Sequence, residues 1–168
     1  VSSTFFLANM KNMLEAMIIS LNAEAGTIFV YDQKEKNLVS LVLTAPTAIM
    51  DENSGGLVPV VNFPDVIHAP SKAGKSIAGT AFQTGDCLNI LDTQRDERLF
   101  KAIDEATGYR TKAAICFPIF SVKNNNVIGV IEIINKKNED EVFSVQDEAR
   151  MAEYTMLVSH VMDTQGLK

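Results

Sequence analysis

The sequence predicts an α+β domain whose sheet is mostly antiparallel. Three observations carry this: helical spacing of apolar residues near both ends, two pairs of β-branched segments joined by polar turns, and no regular alternation of strand and helix between them. At the start, Phe6, Met10, Met13, Leu14, Met17 and Leu21 recur at intervals of three and four, marking an amphipathic helix that ends before Gly26. Thr27–Tyr31 and Leu38–Leu43 then flank the polar stretch Asp32–Asn37 as a hairpin. Residues 46–74 hold four of the five prolines and three glycines, an irregular insertion with room for one short strand at Val58–Val61.

Order returns with a short helix over Ile77–Thr84, an apolar segment Cys87–Leu91, and a helix near Glu97–Thr107 closed by Gly108. A second hairpin pairs Ala113–Phe120 with Val127–Asn135 across Lys123-Asn124-Asn125-Asn126. Ser144-Val145-Gln146-Asp147 is a capping box, and Glu148 adds a second acid to a first turn that favours negative charge. The closing helix runs to about Gln165. The terminal helices are expected together on one sheet face, with the middle helices and the insertion covering the other.

The 168 residues suit one domain, 1–168, and 46% hydrophobic against 21% charged residues suffices for a full core. No apolar run reaches the roughly 18 residues that span a bilayer, and no cleavable leader opens the chain. A soluble, cytoplasmic protein without membrane insertion is expected, and Val1 in place of Met suits a piece of a longer protein. Cys87 and Cys116 are too few for a disulfide framework and read as buried thiols. The net charge of −6 argues against nucleic acid as a partner. Its distribution is uneven: residues 1–70 carry 3 basic and 7 acidic groups, residues 71–137 carry 10 and 7, and residues 138–168 carry 2 and 7. The basic middle third can hold a small anion.

Candidate chemistry is sparse. Ala69–Ser76 imitates a phosphate-binding loop, but Pro70 interrupts its entry, the leading Gly is absent, and the sheet is antiparallel, so it reads as the loop before a helix. Free backbone N–H groups around Ile77, Ala78 and Gly79 at that helix start either receive an anion or belong to a helix packed closely on the sheet. Glu132 interrupts the apolar run Val127–Ile134, and alternation sets it beside Ile128, Val130 and Ile134. It marks either the edge of a wet cavity with a polar partner or an exposed strand end. His68 and His160 stand alone, so no metal site is read, and neither cysteine has an activating base nearby in sequence.

Asn135-Lys136, Phe143 and Asp147-Glu148 resemble the NKxnFxxxDE signature of GAF domains in cyclic nucleotide phosphodiesterases and related adenylyl cyclases. Ile77-Ala78-Gly79, Leu88-Asn89-Ile90, Thr107-Gly108-Tyr109-Arg110-Thr111 and Cys116-Phe117-Pro118-Ile119 are similar to the same family in the same order. The resemblance covers nearly the whole chain outside the insertion at about 46–70. It implies a six-stranded antiparallel sheet and a pocket, enclosed by short helices and loops, that holds a cyclic nucleotide for regulation, with no catalytic residue in this segment. Carried over by position, Thr27, Leu43 and Thr44 fall at the base, Ile77 and Ala78 near the phosphate, and Asp104, Thr107, Thr111 and Glu132 around base, ribose and phosphate. The signature itself is structural: Lys136 and Asp147 are expected to pair and hold the last helix.

Leu43 and Thr44 stand where a cGMP-selective relative can place an aromatic residue and an Asp. Threonine hydroxyls suit adenine's acceptor and donor, so cAMP is expected over cGMP. Further expectations are no cofactor beyond that ligand, a homodimer through apolar surface on the terminal helices (Met151, Tyr154, Leu157, Val158, Val161), and a phosphodiesterase catalytic domain downstream. The alternatives are a ligand-free GAF dimerisation module and a thiol-based reductase on the same fold.

Overall fold

A computed structural model describes residues 3–44, 49–51, 56–58, 66–68, 76–98, 110–138 and 141–165. Helix α1 (Ser3–Ser20) leads into strands β1 (Ala23–Asp32) and β2 (Asn37–Thr44). Short strands β3 (Ile49–Asp51), β4 (Gly56–Val58) and β5 (Val66–His68) follow. Helix α2 (Ile77–Thr84), strand β6 (Leu88–Ile90) and a 3₁₀ turn (Thr93–Arg95) precede the long strands β7 (Ala114–Phe120) and β8 (Val127–Lys136), and helix α3 (Val145–Gln165) closes the chain. The main sheet has six strands in the order β5-β2-β1-β8-β7-β6, and each neighbouring pair is antiparallel. β3 and β4 pair separately.

Each boundary has a local cause. Asn22 adopts a left-handed φ of 51° and turns α1 directly into β1. Strand β1 starts four residues before the expected Thr27, because Ala23-Glu24-Ala25-Gly26 carries no β-branched or aromatic signal. Ser76 caps α2 through its side chain, which accepts the Gly79 N–H at 2.8 Å, and Gly85 at φ 72° ends it. The capping box of α3 forms in both directions: Asp147 N–H donates to Ser144 Oγ at 3.1 Å, and Ser144 N–H donates to Asp147 Oδ2 at 2.9 Å.

The sheet separates two apolar layers. On one face, α1 and α3 bury Phe6, Met10, Leu14, Met17, Met151, Val158 and Met162 against Ile115, Ile131 and Ile133. The two helices run antiparallel, since Asn9 of α1 meets Gln165 of α3 at 3.1 Å while Lys136 touches both Leu21 and Asp147. On the other face, Ile77, Ala78 and Ala81 of α2 pack over Ala25, Phe29, Ala114, Cys116, Val130 and Ile134. For α1, α3 and α2 this is the expected division. Ile128 departs from its expected face: the β7–β8 register passes from Ile119↔Gly129 to Phe120↔Val127, so Ile128 is the extra residue of a bulge and packs on the terminal-helix side. The helix expected near Glu97–Thr107 and its Gly108 cap, like most of 46–74, lie outside the described residues apart from 97–98, which form a turn.

Candidate functional site

The site lies on the α2 face, where register sets one row of side chains across the sheet: Leu43 opposite Thr27, Thr27 opposite Glu132, Glu132 opposite Cys116, and Cys116 opposite Leu88. Directly paired residues project to the same side. Glu132 is therefore at mid-sheet, not at an exposed strand end, and remains partly accessible. Cys116 Sγ donates to Glu132 Oε2 at 3.2 Å. Burial pushes the Glu132 carboxyl above the ordinary range, and the Cys116 hydrogen bond opposes that rise. Burial also pushes the Cys116 thiol well up, reinforced by the Glu132 charge and opposed by Arg98.

Arg98 carries no sequence signal as a site residue, yet its charge is felt at Cys116. It is held by Asp96 through two hydrogen bonds, Nε to Oδ1 at 2.8 Å and Nη2 to Oδ2 at 2.6 Å. Thr27 is buried beside Glu132 and brings a hydroxyl to the row. Above the row, Ile77 and Ala78 open α2, and their N–H groups precede the first intrahelical bond, Thr80 N–H to Ser76 O at 2.9 Å. The row thus combines a hydroxyl, a carboxylate, a helix start and apolar walls, which suits a small ligand carrying both hydroxyl donors and an anion.

The other candidate residues are placed differently. Thr44 pairs with Gly26, where an added Cβ would meet Leu14 and Ile133, so the register turns Thr44 toward α1 and away from Thr27 and Leu43. Its Oγ1 is buried without a partner among the described residues. Thr111 is buried before β7, where its carbonyl accepts Thr93 Oγ1 at 2.6 Å and Gln94 Nε2 at 2.7 Å. Asp104 and Thr107 lie outside the described residues. A separate cleft of about 520 Å³ beside Gln94, Arg110 and Lys112 contains none of the candidate residues.

The signature residues form a brace. Asn135, at a left-handed φ of 59°, accepts the N–H groups of Lys112 (2.6 Å) and Ala113 (3.1 Å) and donates to Arg110 O at 2.8 Å, which fixes the chain entering β7. The same turn carries Lys136 off the Glu132 face. Its ammonium reaches Leu21 O at the end of α1 and Asp147 Oδ2, at 3.0 Å, at the start of α3, and lies 5.7 Å from the Phe143 ring centre. Burial raises the Asp147 carboxyl, but the Ser144 N–H and Lys136 outweigh it and leave the group below the ordinary range. Of the two thiols expected to be buried, Cys116 is, but Cys87, in the turn before β6, is exposed; partial desolvation still raises its thiol, with the charges of Glu148, in the first turn of α3, and Asp86 adding to the rise.

Fold and row together define an α+β domain that presents one sheet face beneath a short capped helix. The GAF domain family model matches residues 10–162, and the chain belongs to this family. It is 34% identical over 142 residues to dual 3',5'-cyclic-AMP and -GMP phosphodiesterase 11 of Drosophila melanogaster, covering 84% of this chain and 10% of that one. It is 38% identical over 81 residues to dual 3',5'-cyclic-AMP and -GMP phosphodiesterase 11A of Takifugu rubripes, covering 48% of this chain and 9% of that one. The chain therefore matches about a tenth of these relatives' length. Among solved structures, a type II free methionine-R-sulfoxide reductase from Thermoplasma acidophilum shares the fold, with a TM-score of 0.70 at 15% identity over 96% of this chain and 95% of that one.

Proposed function

We propose that the chain is a regulatory cyclic-nucleotide-binding GAF domain of a 3',5'-cyclic nucleotide phosphodiesterase. The observation that carries this is Glu132, a mid-sheet carboxylate directly opposite the buried hydroxyl residue Thr27, within a chain similar to phosphodiesterase regions. In this reading Glu132 accepts the ribose 2'-OH, Thr27 and Leu43 face the base, and the α2 start at Ile77 and Ala78 receives the phosphate. Thr111, Asp104 and Thr107 complete the enclosure. The reading favours cAMP over cGMP because Leu43 brings no acidic acceptor for guanine and the Thr27 hydroxyl serves adenine; Thr44, on the opposite face of the sheet, has no part in it.

The terminal helices carry the response to a catalytic domain downstream. Met151 and Val158 belong to the intramolecular core, so a homodimer would use the exposed Phe5, Ile19, Met156 and Leu157. That apolar surface also favours a second reading, a dimerisation module without ligand. A thiol reductase is disfavoured, since both cysteines have raised pKa values and neither is activated as a nucleophile.

Calorimetric titration with cAMP and cGMP decides between binding and a bare dimer module. Saturable binding is expected, weakened by about 1–3 kcal/mol in Thr111→Ala and in Glu132→Ala, the range for a buried polar group left unpaired. Absence of heat and of thermal shift at millimolar nucleotide overturns the reading.

A further inference from the structure

We propose that Cys116 is a positioning residue of this site: its thiol fixes Oε2 of Glu132 and so presents the other carboxylate oxygen, Oε1, to a hydroxyl donor on the ligand. The inference rests on the cyclic-nucleotide reading for the identity of the ligand, and on geometry for the rest. Cys116 is fully buried and stands directly opposite Glu132 across β7 and β8. Its Sγ contact at 3.2 Å is the single hydrogen bond to the Glu132 side chain among the described residues. Thr27, on the opposite side of Glu132, makes no such bond.

A carboxylate on an apolar sheet face has several rotamers open to it, and one anchored oxygen leaves the second at a defined place. An aliphatic residue at 116 would satisfy the packing of β7, whose neighbours Ile115, Phe117 and Ile119 are all apolar. It would leave Oε2 without a donor. The thiol therefore does something at this position that volume alone does not require.

Among the described residues, the charged and titratable groups facing the pair are few. Glu132 is met by Cys116 from β7 and by uncharged Thr27 from β1, and α2 contributes only the apolar Ile77, Ala78 and Ala81. Arg98, paired with Asp96, is the cation whose field reaches Cys116. Because the thiol hydrogen bond stabilises the ionised carboxylate, its removal moves Glu132 titration to higher pH, and ligand binding that needs the carboxylate fails at a higher pH as well.

The test compares the wild-type chain with Cys116→Ser, which keeps a donor, and Cys116→Val, which keeps the volume. The first readout needs no nucleotide: the Glu132 carboxyl is titrated by carbon NMR, assigned with Glu132→Gln. Cys116→Val is expected to titrate higher than wild type and Cys116→Ser close to it; an unchanged midpoint in Cys116→Val overturns the proposal. The second readout is the affinity for cAMP between pH 5 and 8. Cys116→Val is expected to lose about tenfold with its acid limb moved upward, and Cys116→Ser to stay within about threefold. Thermal melts without ligand confirm that each variant folds. If Cys116→Val matches wild type in affinity and pH profile while Glu132→Gln loses binding, Cys116 is only packing and the nucleotide reading stands. If the wild type binds neither nucleotide, that reading falls, and the NMR midpoint still decides whether Cys116 holds Glu132.

Discussion

Replacing Lys136 by Met tests whether the signature is a mechanical brace. The ammonium is 10% exposed and its partner Asp147 2%, so the pair is shielded from solvent. Removing one partner of a buried pair costs about 3–5 kcal/mol, because the remaining charge is stranded. Asp147 keeps the Ser144 N–H at 2.9 Å and Arg150 Nη1 at 3.4 Å, which places the loss near the lower end, about 3 kcal/mol. For a domain of this size that corresponds to a fall in Tm of about 6–12 °C. Urea unfolding of wild type, Lys136→Met, Asp147→Asn and the double variant measures the coupling directly. The double variant is expected to be less destabilised than the sum of the singles, by at least about 1 kcal/mol. Because the pair is buried, the effect should persist in high salt. A Lys136→Met variant within about 0.5 kcal/mol of wild type, or additive singles, refutes the brace.

The same pair should respond to acid. The native Asp147 titrates below its unfolded value, so its stabilisation is full above the unfolded carboxylate pKa and is lost as pH falls through the native one. Asp147→Asn should flatten that acid limb in pH-dependent urea unfolding. At Asn135, Asp keeps the acceptor for Lys112 and Ala113 but loses the donor to Arg110, whereas Ala loses all three bonds and keeps the left-handed φ. The expected order of stability is Asn, then Asp, then Ala, with Ala about 2–4 kcal/mol below wild type in urea unfolding; Ala equal to Asp would contradict it. Gly129→Ala should destabilise by about 2–3 kcal/mol through overpacking, since its Cβ would sit 2.2 Å from the Phe29 carbonyl oxygen on β1. A melt unchanged from wild type would show that β1 and β8 can separate to admit a methyl group.

Much of the fold was legible because its signals are local. Ser76 and Gly85 bracket α2 at its expected limits, and Ser144 with Asp147 starts α3 at the expected capping box. The site was legible where simple alternation holds: Val130, Glu132 and Ile134 share one face of β8 as their spacing requires. It failed where one residue interrupts the alternation. The bulge at Ile128 moves that side chain to the face opposite Val130 and Glu132, whereas Thr44 falls behind the site because plain alternation from Leu43 puts it there, which carrying residues over by position overlooks. Arg98 was invisible for a different reason, since its approach to Cys116 depends on tertiary packing that no local spacing encodes.

Asn135 links these two kinds of information. On an unbroken strand Lys136 would share a face with Ile134 and Glu132, and its ammonium would enter the site instead of the helix layer. The positive φ at Asn135 breaks that alternation, and Asn tolerates the conformation while its amide ties down Arg110–Ala113. One residue therefore separates a carboxylate directed toward α2 from a cation directed toward α1 and α3. Glu132 and Lys136 are about 13 Å apart along the strand at ordinary strand rise, and both are fixed by hydrogen bonds at their outer ends. The asymmetry of the signature, Asn before Lys and not the reverse, follows from this geometry: with the order exchanged, a lysine would occupy the left-handed position, which disfavours its Cβ, and the cation would lose Leu21 and Asp147.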